Sequence, residues 1–293
     1  MCEVTQNTLK FYEDTEFDQT FGLFRGLAVY GDGVAAYPDK FLTGNSGIVG
    51  CKKTMYSLST NCMFYMAYKA AARLCKDSTY AIKADELKTA VNHHFWNADT
   101  GSYDYLAHEC EYQEGLGISF ALLSGIADEH AEHVIDNVRL TPNGIACVYP
   151  SFERYTKLGG TGRHSGTVWG FIQGFWGLAL NKYGKYRQFD ENLALMAEKA
   201  CRDGQFAEIW HPETGEIYGG LQEDAPDGRI REWRSMRRQS WTASAFVALI
   251  VYGLFGCEWN DGRLRTSSRL PDGVEWMRLE GLRDRYGTHE IMM

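Results

Sequence analysis

Apolar positions along the chain recur mostly at three-to-four spacing. Between Thr60 and Lys76 they fall at Met63, Ala67, Ala70 and Leu74. Between Tyr80 and Trp96 they fall at Ala84, Leu87, Val91 and Phe95, so both stretches predict helices. Leu116–Ile126 and Asp128–Arg139 predict a third and a fourth. His164–Tyr183 is apolar nearly all round and interrupted by Gly166, Gly170, Gly174 and Gly177, the pattern of a helix buried on every side. Arg187–Arg202 is amphipathic, and Gln239–Phe255 is another almost wholly apolar run, ended by Gly256. Beyond residue 258 the pattern shortens to strand-like pieces at Val274–Leu279 and Thr288–Ile291, with Asp-Gly turn signals at 261–262 and 272–273.

The helices come in consecutive pairs, one more apolar than the other. Trp96-Asn-Ala-Asp-Thr-Gly-Ser-Tyr103 and Trp210-His-Pro-Glu-Thr-Gly-Glu-Ile-Tyr218 each follow a helix and turn through Thr-Gly into an aromatic strand-like piece. Self-similarity of this kind predicts αα-hairpins stacked side by side. The expected fold class is therefore all-α, with a helical domain over residues 1–257 and a short β-rich tail over 258–293. If such pairs close into a ring, the apolar helices line the inside and the loops at one end crowd around a shared funnel.

Composition narrows the function. With 30 Lys and Arg against 38 Asp and Glu, the net charge of −8 argues against nucleic acid as a partner. No apolar run reaches the roughly 18 residues that a membrane span needs. None of the 8 Cys forms a CxxC pair or a zinc-ligand set with His, and the amino-terminal stretch is polar and acidic, unlike a signal peptide. The expectation is a reduced, cytoplasmic protein, or a secreted or periplasmic one if the sequence is cut from a longer precursor. The outlier is the aromatic content, 14% with 8 Trp, 17 Tyr and 15 Phe. Flat rings with polar edges suit both core filling and the binding of hydroxylated rings.

Candidate chemistry lies in long aromatic loops between the helices. Glu208, among Phe206, Ile209 and Trp210 and before a Pro-fixed turn, suits a desolvated general base and equally a salt bridge to a nearby Arg. Asp18, Asp32 and Asp39 lie among aromatics near Arg25, and each is open as the protonated partner. The Asp-Gly and Pro-Asp turns at 32–33 and 38–39 leave Asp18 slightly ahead. Arg163 and His164 stand before the buried helix, with Trp169, Gln173 and Trp176 at helical spacing. These types suit sugar hydroxyls and pyranose faces, and they also suit a helix cap and core packing. There is no GxSxG elbow, P-loop or GxGxxG. His93-His94 and His130–His133 have metal-like spacing without a third ligand, so no metal or cofactor is expected.

Taken in order, Asp18-Gln-Thr-Phe…Arg-Gly26, Asp32-Gly-Val-Ala-Ala-Tyr-Pro, Tyr112-Gln-Glu-Gly-Leu-Gly117, Arg163-His-Ser-Gly-Thr-Val-Trp169, Glu208-Ile-Trp-His-Pro-Glu-Thr-Gly215 and Gln239-Ser-Trp-Thr-Ala-Ser-Ala245 resemble the six-hairpin glycosidases of the mannosylglycerate-hydrolase-like type, relatives of glycoside hydrolase family 63. The resemblance runs from about residue 17 to residue 256. It implies an (α/α)6 toroid and an exo-acting glycosidase that inverts, with Glu208 as general base and Asp18 as general acid. It also implies that Arg25, Asp32, Gln113, Glu114, Arg163, His164, Trp169, Gln173, Trp210, Gln239 and Trp241 bind an oligosaccharide or glycoside. The residues around Asp18 depart from the Asp-Asn-Ser-Pro pattern of the family's acid, and Gly170 stands where Pro is usual. Seven helices are read where six hairpins need twelve. The N-terminal hairpins are therefore expected to be missing, to be supplied from outside this sequence, or to be replaced by a second chain. Two alternatives stay open, a non-catalytic carbohydrate-binding remnant and a sugar isomerase or epimerase using His164 and His211.

Overall fold

The computed structural model describes residues 1–31, 33–43, 48–49, 55–224 and 228–293. Among the described residues there are nine α-helices: α1 (Cys2–Glu16), α2 (Leu58–Cys75), α3 (Ser78–Phe95), α4 (Gly115–Ser124), α5 (Ala131–Asn137), the single turn α6 (Glu153–Thr156), α7 (Gly170–Lys182), α8 (Tyr186–Asp203) and α9 (Ser240–Ala248). They alternate between two layers. In the inner layer α2, α4, α7 and α9 pack side by side in that order. α1, α3, α5 and α8 lie outside them, so the described residues hold four αα-hairpins of a toroid, followed by a β-rich tail.

Burial explains which helix goes where. α4 buries its first eight residues, Gly115 to Leu122, and so has no face left for water. α3 buries only Tyr80, Ala84, Leu87, Val91 and Phe95, a single stripe at i, i+3 and i+4. α8 buries Phe189, Asn192, Leu193, Met196 and Lys199 in the same way. Between α7 and α9 the backbones approach closely over a column of glycines. A Cβ at Gly170 would lie 2.2 Å from Thr242 Cγ2, one at Gly174 2.6 Å from Ala245 Cβ, and one at Gly177 2.5 Å from Leu249 Cδ2. α9 widens into a π-helical stretch over Leu249–Leu254, where a Cβ at Gly253 would meet the Phe189 ring at 2.5 Å.

The two similar segments noted in the sequence are matched by a third. Each outer helix α1, α3 and α8 is followed by the same turn, in which a residue's carbonyl accepts the N–H of a glycine four positions on. The pairs are Asp18 and Gly22 at 2.8 Å, Asn97 and Gly101 at 2.9 Å, and His211 and Gly215 at 3.0 Å. The three glycines have φ of 66°, 65° and 70°, the left-handed region that a side chain disfavours. In each turn the first residue's side chain also accepts the N–H two positions on: Asp18 Oδ1 from Thr20 at 2.8 Å, Asn97 Oδ1 from Asp99 at 3.0 Å and His211 Nδ1 from Glu213 at 3.2 Å.

Three expectations are corrected. α1 is a helix that the periodicity did not announce, since its only buried residue is Leu9. Cys2 and Cys75 are joined in a disulfide, so the all-reduced reading of the cysteines does not hold. The helix expected from His164 starts only at Gly170, because Arg163 and His164 lie in a turn, Gly166 has a φ of 88°, and Val168–Trp169 form a strand. In the tail, Glu258–Asn260 pairs with Arg263–Arg265 through the Asp261-Gly262 turn, and Arg278–Asp284 pairs with Gly287–Met292. Leu264, Leu279, Leu282 and Ile291 pack from these hairpins against the main core. No helix among the described residues is long and apolar enough to cross a membrane.

Candidate functional site

The loops that lead from each outer helix to the next inner one all gather at the N-terminal ends of α2, α4, α7 and α9. Just before α7, Val168 and Trp169 pair antiparallel with Trp210 and Ile209. That register places Glu208 beside the first turn of α7, where its carbonyl accepts the Gly170 N–H at 3.2 Å. Its own N–H donates to the Met236 carbonyl at 2.8 Å, so the backbone at Glu208 is fixed from both sides.

Glu208 is 5% exposed, and its two side-chain oxygens differ. Oε2 accepts Arg163 Nη2 at 3.0 Å and the Met236 N–H at 3.0 Å. Oε1 makes no hydrogen bond among the described residues. Arg163 is locked in turn, its Nη1 donating to the carbonyls of Gly219 at 3.0 Å and Arg234 at 3.2 Å. Glu208 is thus a buried carboxylate ion-paired to Arg163, the salt bridge that was one of its two sequence readings.

Aromatic rings wall this corner. His164 stacks on Trp169 at 4.8 Å, and the Arg163 guanidinium lies 5.3 Å from the same indole. Trp241, at the start of α9, lies 6.0 Å from Trp169 and 5.2 Å from Phe171. Tyr30 closes the wall, 6.0 Å from His164 and 6.3 Å from Phe171. Trp169 is only 4% exposed and donates its Nε1–H to the Arg163 carbonyl, whereas Trp241 is 44% exposed. Below them a cavity of about 470 Å³ runs between α7 and α9, lined by Phe171, Phe175, Leu178, Trp241 and Ala248.

Of the residues expected at a site, the structure brings Arg163, His164, Trp169, Glu208 and Trp241 into one cluster. Others are elsewhere. Gln113 exchanges both amide ends with the Arg139 backbone, at 2.8 and 3.0 Å, and Gln173 does the same with Ile145, also at 2.8 and 3.0 Å, so neither amide is left for a ligand. Glu114 and Trp210 are completely buried. Gln239 caps α9, its side-chain oxygen accepting the Ser240 N–H at 3.1 Å. In this structure Gln113, Glu114, Gln173 and Trp210 are packed inside, and Gln239 is a helix cap. Asp32 lies outside the described residues.

Asp18 and Arg25 form a separate group. Arg25 pairs with Asp18 Oδ2, which also accepts the Tyr56 hydroxyl at 2.8 Å. Burial pushes the Asp18 carboxyl up, but Tyr56, the Thr20 N–H and Arg25 outweigh it and hold the group at about 2. Asp18 and Glu208 share no hydrogen-bond partner among the described residues. Asp39 pairs with Arg154 at 2.6 Å on the surface. Three site residues went unread in the sequence, namely Tyr30, Phe171 and Met236. Phe171 sits in the apolar run with Trp169, and Met236 contributes only its backbone, for which no side-chain signal exists. No group of three or more His, Cys, Asp or Glu is placed to hold a metal ion among the described residues.

No curated protein sequence matches the chain. Among solved structures, a sialidase superposes with a TM-score of 0.72 at 16% identity, over 100% of this chain and 27% of that one. The neutral trehalase Nth1 of Saccharomyces cerevisiae gives 0.53 at 14% identity, over 70% of this chain and 39% of that one. A family GH78 rhamnosidase of Bacillus sp. GL1 gives 0.52 at 15% identity, over 89% and 24%. The chain thus spans about a quarter to two fifths of these three, and at such identities the likeness is one of fold. Residues 38–242 match the sequence family described as the mannosylglycerate hydrolase MGH1-like glycoside hydrolase domain, and by that match the chain belongs to this family.

Proposed function

We propose that the chain is the catalytic domain of an inverting glycosidase in which Glu208 is the general base. The observation that carries this reading is the division between the two carboxylate oxygens. Oε2 is pinned by Arg163 and the Met236 N–H, while Oε1 has no hydrogen-bond partner among the described residues. A water resting on Oε1 gives up its proton as it attacks the anomeric carbon, and the leaving oxygen is protonated from the opposite face. Trp241, Phe171 and Tyr30 offer ring faces to a pyranose. The family's name, a hydrolase of a glycoside, and the glycosidases that share the fold support the same reaction class.

The proton donor is not assigned to Asp18. A carboxyl held at about 2 carries no proton at neutral pH, and the turn repeated after α3 has Asn97 in the corresponding place, so the position works without an acid. Asp18→Asn is expected to keep kcat within about tenfold of the parent, because Asn retains the acceptor for the Thr20 N–H. A loss of 100-fold or more, measured after circular dichroism confirms folding, returns Asp18 to the acid's role. The epimerase reading has no support from His211, whose Nδ1 accepts the Glu213 and Thr214 N–H groups within its own turn.

The reaction is tested by incubating the chain with α- and β-linked disaccharides and aryl glycosides and following the products by proton NMR. The first-formed sugar is expected to have the anomeric configuration opposite to that of its substrate. Retained configuration rejects the mechanism. Binding without release from any glycoside rejects catalysis and favours a carbohydrate-binding role.

A further inference from the structure

Glu114 is a fully buried carboxyl group that the proposed chemistry does not use. It stands at the N-cap position of α4, and its flanking pair Gln113–Glu114 is bonded to Val148–Tyr149 as a two-residue ladder. Its Oε2 accepts the Ser59 N–H in the first turn of α2 at 3.0 Å, and the Ser59 hydroxyl faces the same carboxyl. Its Oε1 is enclosed and meets no hydrogen-bond partner among the described residues. The fit depends on a glycine: a Cβ at Gly117 would fall 2.4 Å from Oε2.

The groups around it carry no charge. The titratable side chains that sense Glu114 are Tyr30, Tyr105 and Cys62, and among the described residues no Lys or Arg acts on it. An ionised carboxylate here has one oxygen with nothing to answer it, which is costly in an apolar interior. Burial accordingly raises the group to about 8 against the opposing pull of Ser59, so it keeps its proton well above the pH at which a free carboxyl ionises.

Ser59 connects this group to the candidate site. Its Oγ accepts the Val29 N–H at 3.0 Å, and the neighbouring Ser57 and Thr60 hydroxyls donate to the carbonyls of Gly26 and Leu27. The segment 26–30 is thereby stitched along the first turn of α2. It ends at Tyr30, whose hydroxyl donates to the Cys147 carbonyl at 2.9 Å and whose ring faces His164 and Phe171.

We infer that Glu114 is a positioning residue: its buried carboxyl group fixes the first turn of α2 and, through Ser59 and Val29, holds the Tyr30 ring in the wall of the Glu208 pocket. The inference rests on the proposed function for its catalytic meaning, but its structural half stands on contacts alone. The comparison is between Glu114→Gln, which keeps shape and neutrality, and Glu114→Ala, which removes the acceptor.

In Glu114→Ala, amide hydrogen exchange at Val29, corrected for intrinsic rate, is expected to speed up at least tenfold at pH 6.5, with KM for an aryl glycoside raised at least fivefold and kcat changed less. Glu114→Gln is expected to leave all three within about twofold. Should Glu114→Ala fail to fold, the pH profile of Glu114→Gln decides. The folded chain keeps this proton to a higher pH than the unfolded chain does. The stability it contributes is therefore full below about 4.5 and is lost as pH rises to about 8, so the melting temperature of Glu114→Gln should gain on the parent across that window. Unchanged Val29 exchange in the alanine variant, or parallel melting profiles for parent and glutamine variant, overturns the inference. If the parent hydrolyses no glycoside, the proposed function fails while the exchange and melting results still decide the role of Glu114.

Discussion

Glu208→Gln is expected to lower kcat by about 1,000-fold, within the range general-base removal typically costs, while leaving sugar binding within a few-fold of the parent. Gln has the volume of Glu, and its amide oxygen can take over the acceptor role toward Arg163 Nη2 and the Met236 N–H. Its NH2 then occupies the place of Oε1. An amide nitrogen there donates where the mechanism needs an acceptor, so a water can still be bound but cannot be deprotonated. The check is a pair of measurements on one preparation: steady-state hydrolysis of an aryl glycoside, and a binding titration followed by fluorescence of the half-exposed Trp241. Turnover within tenfold of the parent removes Glu208 from the reaction. Loss of binding together with turnover makes it a structural partner of Arg163.

The second large effect is expected from Gly174→Val. A Cβ at residue 174 would lie 2.6 Å from Ala245 Cβ and 3.1 Å from its Cα, and the latter is backbone that cannot rotate out of the way. α7 and α9 must separate, at a cost of about 3 kcal/mol for overpacking, or roughly 5 °C in melting temperature for a chain of this size. The separation reaches the site because Trp169 and Trp241 stand at the starts of these two helices, 6.0 Å apart. Scanning calorimetry reads the first consequence, and near-ultraviolet circular dichroism of the paired indoles reads the second. An unshifted melting temperature means the helices slide rather than part.

Much of the helical frame was legible because its physics is local and periodic. The stripe of Tyr80, Ala84, Leu87, Val91 and Phe95 states both that α3 is a helix and that it is an outer one. α1 was not legible, since its stripe is reduced to Leu9. Its position is set by contacts distant in sequence: the Cys2–Cys75 bond, and Glu13 held by Lys83 and the Tyr68 hydroxyl. The site was legible in part for the same reason. Glu208, Arg163, His164 and Trp169 lie in short segments whose residue types advertise chemistry. Gln113 and Gln173 advertise it equally, yet they are consumed by the backbones of Arg139 and Ile145, 26 and 28 residues away. Composition cannot distinguish an amide aimed at a ligand from one that satisfies a loop.

The turns opening at Asp18, Asn97 and His211 use a carboxylate, an amide and an imidazole as acceptor, so the corner they form is indifferent to which of the three is present. Each corner closes on itself within a handful of residues. The stretch that runs from a corner to the next inner helix can therefore lengthen, shorten or change composition without disturbing the scaffold. Diversification toward new sugars would be expected to concentrate in those stretches, leaving the helices and their corners as a fixed chassis.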